Sequence, residues 1–174
     1  MKPGKRICIL GGTCSGKSTL AIQLGDALGY KVLHMDWIYY IPNNNWVRAL
    51  PEITGKKHDE FIRQNSWIID GTYREYLPKR LAAADTVIIL RAPKIIRLWR
   101  FFIRGRNNGK NRVDKSVGGE FKDFTWAHVW WILFKERHRK KDYIFLKDYP
   151  HLKIIILHSF REMESFLESV QTAA

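Results

Sequence analysis

Eight residues near the start of the chain limit its fold more than any others: Gly11-Gly12-Thr13-Cys14-Ser15-Gly16-Lys17-Ser18. They fit the spacing G-x-x-x-x-G-K-[ST]. Before them runs Arg6-Ile7-Cys8-Ile9-Leu10, a short apolar, β-branched stretch of the kind that forms a buried strand. After them, Leu20, Ala21, Leu24, Ala27 and Leu28 recur at helical spacing from Lys17 to Leu28, and Gly29 closes the segment. Strand, glycine loop and helix in that order are the context in which this spacing binds phosphate. Loop N–H groups and the positive helix end surround an anion, Lys17 neutralises β- and γ-oxygens, and the Ser18 hydroxyl can join a Mg²⁺ shell. The expected nucleotide-binding residues are therefore Gly11, Gly12, Thr13, Cys14, Ser15, Gly16, Lys17, Ser18 and Thr19.

Four more short apolar runs follow at 31–34, 66–70, 86–90 and 153–157, with helical character at 56–65, 75–83, 94–105, 126–147 and 160–171. Strands that are apolar throughout and separated by helices predict a parallel sheet covered on both faces. The fold class expected is α/β, a three-layer domain with five strands. At 174 residues, 45% hydrophobic and 27% charged, the chain reads as one globular domain over 1–174. The glycine- and charge-rich stretch 105–122 interrupts the rhythm and reads as a basic loop between two helices. No apolar stretch reaches the ~18–20 residues that a membrane span needs, so no membrane partner is expected. The N-terminus lacks signal-peptide features, and Cys8 and Cys14 have neither disulfide-framework nor metal spacing. The expectation is a cytoplasmic, reducing compartment.

Charge points to a polyanion as partner. The net charge is +13, and the segment 94–141 alone carries 14 basic against four acidic residues. Nucleotide phosphates or a nucleic acid bound through 94–141 both fit that balance.

Several side chains outside the loop are candidates. Asp70 ends the apolar run Trp67-Ile68-Ile69, where a carboxylate can hold Mg²⁺, although aspartate is also a common turn residue. Asp36 follows the second strand, at the sheet edge where such folds bind ligands. It could take a proton from an attacking hydroxyl, position the acceptor or the metal, or simply cap a turn. Arg97, Arg100 and Arg104 share one face of a helix starting near Lys94, with Leu98, Trp99, Phe101, Phe102 and Ile103 expected to bury the other faces. Convergent arginines suit phosphoryl transfer, and a solvated basic face is the alternative. Trp37, Tyr39, Tyr40, Pro42 and Trp46 either stack on a ring-bearing acceptor or pack beneath a lid. Trp126, Trp130, Trp131 and Phe134 read as helix core. His34 could line the site, with a satisfied, partly buried histidine as the plainer reading. Cys14 sits where a helix start favours the thiolate, which predicts redox sensitivity.

On these residues the chain resembles P-loop kinases of the adenylate and shikimate kinase type, and more closely the adenylate-kinase-related DNA topology modulation proteins. The resemblance rests on the loop 11–18, on Asp36 to Pro42 with Trp46, on Trp67 to Arg74, and on Pro93 with Arg100 and Arg104. It implies strand order 2-3-1-4-5 and a short basic lid at about 105–125. It further implies transfer of the γ-phosphoryl group of Mg-ATP, with ATP and Mg²⁺ as cofactors. Adenylate kinases carry Asp-Gly-x-x-Arg, and Asp70-Gly71 and Arg74 match it, which places Asp70 near the metal and Arg74 on the acceptor. Pro93, Arg100 and Arg104 match a proline followed by arginines that meet the adenine ring and the phosphates. A return-helix arginine, Arg137 or Arg139, would complete the set.

The catalytic candidates are thus Lys17, Asp36, Arg74, Arg100, Arg104 and Arg139, with Ser18 and Asp70 at the metal. The phosphate loop lacks the proline of adenylate kinases, and the Thr-Gly and Arg pattern that receives a monophosphate base is absent from 34–50. The expected activity is phosphoryl transfer to a small molecule or nucleotide of unassigned identity. The alternatives are an ATP-binding, nucleic-acid-associated regulatory protein and a catalytically idle nucleotide binder.

Overall fold

The computed structural model describes residues 2–41, 47–106, 129–135 and 140–172. Five parallel strands form one sheet in the order β2-β3-β1-β4-β5: β1 Arg6–Gly11, β2 Val32–His34, β3 Trp67–Asp70, β4 Thr86–Leu90 and β5 Lys153–Leu157. This is the expected α/β class and strand order.

Alternation along the strands divides the core in two. Cys8, Leu10, Trp67, Ile69, Val87 and Ile89 face one side, where α4 (Leu77–Ala83) adds Leu77 and Leu81. Ile7, Ile9, Ile68, Ile88 and Leu90 face the other. There α1 (Lys17–Leu28) supplies Leu20 and Leu24, while the C-terminal helix, α6 (Phe160–Gln171), supplies Met163, Phe166 and Val170. Apolar burial on both faces explains why β1, β3 and β4 read as unbroken hydrophobic runs, while the edge strand β5 leaves Ile154 and Ile156 exposed. Ser159 caps α6 by accepting from the Glu162 N–H, and a Glu162 carboxylate oxygen accepts in return from the His158 N–H.

Three expectations change. A short helix, α2 (Met35–Tyr39), follows β2 directly, and α3 spans Pro51–Ile62 rather than 56–65. Pro51 at the first helical position sets that earlier start. The single helix expected over 126–147 is not what the described part of that range forms. Trp131–Lys135 is a π-type turn and Lys140–Asp148 is a 3₁₀ segment broken at Tyr143. The turn is held by Val129 and Ile132 packing on Phe101, and by Lys94, which donates to the Leu133 carbonyl. The break at Tyr143 lets Tyr143 and Leu146 enter the core.

Packing on α5 (Lys94–Arg106) reverses the expectation. Phe101 is buried, but Trp99, Phe102 and Ile103 are exposed, and so are Trp130 and Phe134, which were expected in the core. Arg97 takes an inward position instead, while Leu98, expected to be buried, is partly buried against Phe101. Most of the proposed lid lies outside the described residues, as do Pro42, Trp46, Trp126, Arg137 and Arg139.

Candidate functional site

The site grows from register. Ile9 of β1 pairs with Asp70 of β3, and Asp70 pairs with His34 of β2. Parallel neighbours in register present side chains on the same face, so Asp70 and His34 meet beside the loop that leaves β1. His34 Nδ1 lies 2.6 Å from one Asp70 carboxylate oxygen, and the Ser18 hydroxyl donates to the other at 2.7 Å. Asp70 is therefore a buried carboxylate joining the loop helix to two strands. The Trp37 ring covers His34, with centroids 4.6 Å apart. His34 is thus both readings at once, satisfied and built into the site.

The loop itself has the backbone of a tight glycine turn into α1. Gly16, the residue before α1, has φ 96°, a left-handed conformation that favours glycine. Cys14 adopts the left-handed region as well, at φ 58°, which is uncommon for a side chain with a Cβ. Lys17 Nζ donates to the Gly12 carbonyl at 2.8 Å, folding the ammonium back over the loop. The Ser15 hydroxyl is buried with no hydrogen-bond partner among the described residues. An orphaned hydroxyl and an ammonium on one glycine loop at a helix start suit a polyphosphate.

Arg97 supports the loop from outside. Only 3% exposed, it donates from Nε to the Thr13 carbonyl at 2.8 Å. Its guanidinium lies so close to Gly12 that a Cβ there would come within 2.3 Å of Nη2. This excludes the solvated basic face for Arg97. Arg100 stacks on Phe160 of α6, with Cζ 3.8 Å from the ring centroid, beside the start of α1. Arg104 continues the same spacing along α5.

Asp36 lies in the first turn of α2, and the N-cap is His34, so Asp36 is no cap. Its carboxylate accepts from the Tyr73 hydroxyl. Burial, and after it the Asp36 charge, push the Tyr73 phenol well above its usual range, which keeps it a neutral donor. Tyr39 packs on Tyr73 at 4.3 Å between centroids, and the Arg48 guanidinium sits over Tyr39. Arg74 is exposed on the turn after β3, with no ion pair among the described residues.

Behind the turn stands a residue with no sequence signal. Arg80, fully buried on α4, donates from Nη1 to the Gly71 carbonyl at 2.8 Å, while Nε and Nη2 find no partner among the described residues. Burial lowers its pKa, partly offset by Cys8 and Asp70 nearby. Tyr73 and Arg80 were missed because their partners lie 37 and nine residues away, with no periodic pattern joining them.

Among the described residues no cluster of three His, Cys, Asp or Glu side chains forms a metal site, and no helix is long and apolar enough to cross a membrane. Ser18 and Asp70 offer two oxygen donors side by side, a set that suits Mg²⁺, which keeps much of its water and takes few protein ligands.

No family model and no curated protein sequence matches the chain. Solved structures do. A gluconokinase from Sinorhizobium meliloti is similar with TM-score 0.55 and 13% identity, covering 99% of this chain and 97% of its own. Shikimate kinase from Aquifex aeolicus is similar with TM-score 0.52 and 16% identity, covering 97% and 94%. Shikimate kinase from Bacteroides thetaiotaomicron gives TM-score 0.54 at 13% identity, with 97% of each chain covered. The chain has the fold of these P-loop kinases.

Proposed function

We propose that the chain is a Mg-ATP-dependent kinase that phosphorylates a hydroxyl group of a small molecule. The observation that carries this reading is the Ser18–Asp70 hydrogen bond, because it puts the hydroxyl of the phosphate loop and a strand-end carboxylate together beside Lys17. That is the donor set phosphoryl transfer requires of the protein. Similarity in fold to a gluconokinase and to shikimate kinases supports it.

In this reading the loop amides and Lys17 hold the β- and γ-phosphates, with Ser15 filling its open hydrogen bond there. Ser18 and Asp70 hold Mg²⁺, which when bound neutralises charge on the phosphate oxygens. His34 fixes the Asp70 carboxylate so that its second oxygen stays directed at Ser18. Asp36, oriented by Tyr73, accepts the proton of the acceptor hydroxyl. The acceptor oxygen bonds to the γ-phosphorus as the bond from phosphorus to the β,γ-bridging oxygen breaks, and ADP leaves with that electron pair. Arg100 and Arg104 neutralise the transferring group, joined by an arginine at 137 or 139, and Arg74 engages the acceptor.

The test is ADP release from Mg-ATP by the protein and its Lys17→Ala variant, against nucleoside monophosphates, hydroxylated metabolites and short DNA. Acceptor-dependent turnover that disappears in the variant is the expected result. Tight ATP binding with no acceptor stimulation, or stimulation by DNA alone, counts against a kinase.

A further inference from the structure

The amphipathicity of α5 is inverted. Arg97 and Phe101 point inward, and Arg100, itself exposed, lies along Phe160. Its solvent side carries Ile95, 81% exposed, Trp99, 65% exposed, and also Ile96, Phe102 and Ile103. At 100° per residue these five fall within one arc of the helix, and Arg106 falls in the same arc. On the turn that packs against α5, Trp130 and Phe134 are 52% and 63% exposed, their rings 6.0 Å apart. Soluble proteins seldom expose contiguous apolar patches above a few hundred Å² (roughly 300–600 Å² for the largest on a typical monomer) without using them.

We propose that this face docks the protein on the surface of an anionic lipid bilayer, with Ile95, Trp99 and Phe102 entering the headgroup boundary. Charge decides among occupants. α5 has no acidic residue at all, and its Lys94, Arg100 and Arg106 are exposed. A second copy of the chain would bring the same positive charge to the contact. Nucleic acid is matched poorly, because the outward arc of α5 presents aliphatic Ile95, Ile96 and Ile103, which offer phosphates nothing, while Arg97 is buried against the loop. An anionic bilayer takes both features, apolar side chains with a tryptophan at the boundary and basic groups toward the headgroups. The sequence led to an expectation of no membrane partner because no apolar stretch is long enough to span a bilayer, and surface docking needs no such stretch. The absence of a spanning helix among the described residues stands unchanged.

The test is co-sedimentation with vesicles of phosphatidylcholine and phosphatidylglycerol in a two-to-one ratio, and with vesicles of phosphatidylcholine alone. The full chain is expected to pellet with the mixed vesicles and much less with the neutral ones. Ile95→Glu/Trp99→Glu, at two exposed positions, is expected to weaken binding by about tenfold or more. Lipids brominated on the acyl chain are expected to quench tryptophan fluorescence of the unaltered protein, a readout that needs no variant. The proposal is overturned by failure to pellet at low salt, by full binding of the double variant, or by binding without acyl-chain quenching. A dimer or a DNA complex lost in the double variant, with vesicles ignored, assigns the face to those partners instead.

Discussion

The Asp70 carboxylate accepts the Ser18 hydroxyl at 2.7 Å across 52 residues of sequence, locking the loop helix to the end of β3. Asp70→Asn keeps the shape and removes the charge. It is expected to lower the proposed acceptor-dependent turnover by about two orders of magnitude, with the loss growing as Mg²⁺ is lowered. Rates measured across a Mg²⁺ titration check this, and a variant indistinguishable from the parent removes Asp70 from the metal.

Arg97 braces the outer side of the phosphate loop through the Thr13 carbonyl. Arg97→Met retains the bulk and drops the hydrogen bond, leaving a loop carbonyl unsatisfied. The expected cost is about 1–3 kcal/mol in stability, with weaker nucleotide binding. Thermal unfolding with and without ATP separates the two, since a purely structural role lowers both curves equally and leaves the ATP-induced shift intact.

His58 on α3 is fully buried, with Nδ1 near Asp59 and Nε2 lacking a partner among the described residues. Burial lowers its pKa below the ordinary 6.5, with the Asp59 hydrogen bond opposing. Below about pH 6.5 the unfolded chain therefore binds a proton at His58 that the folded chain resists, so stability falls as pH drops through that window. His58→Leu is expected to flatten the slope of melting temperature between about pH 5 and 6.5. A slope unchanged by the substitution disproves the assignment.

Cys8 is buried in the sheet, and burial pushes its thiol up to about 11. Cys14 is partly exposed on the loop. Alkylation near pH 8 is expected to modify Cys14 and spare Cys8. Peptide mapping after iodoacetamide reads this directly, and protection of Cys14 by ATP would place the thiol at the nucleotide. Labelling of Cys8 ahead of Cys14 contradicts the burial argument.

The sequence by itself determined the five strands, the glycine loop and the carboxylates Asp36 and Asp70, since those rest on local periods and fixed spacings that repeat within a few residues. Even the strand order was legible, through the resemblance carried by those same motifs. Only the tertiary structure decided what those groups touch. His34 reaches Asp70 because β2 and β3 pair in register, Tyr73 reaches Asp36 across a turn, and Arg80 buries its guanidinium beneath Gly71. None of these contacts leaves a periodic trace. On α5 the pattern misled about the apolar side chains, because Trp99, Phe102 and Ile103 read as buried while the structure leaves them exposed. The hydrophobic period says that a helix has two faces, and what lies beside it decides which one is inside.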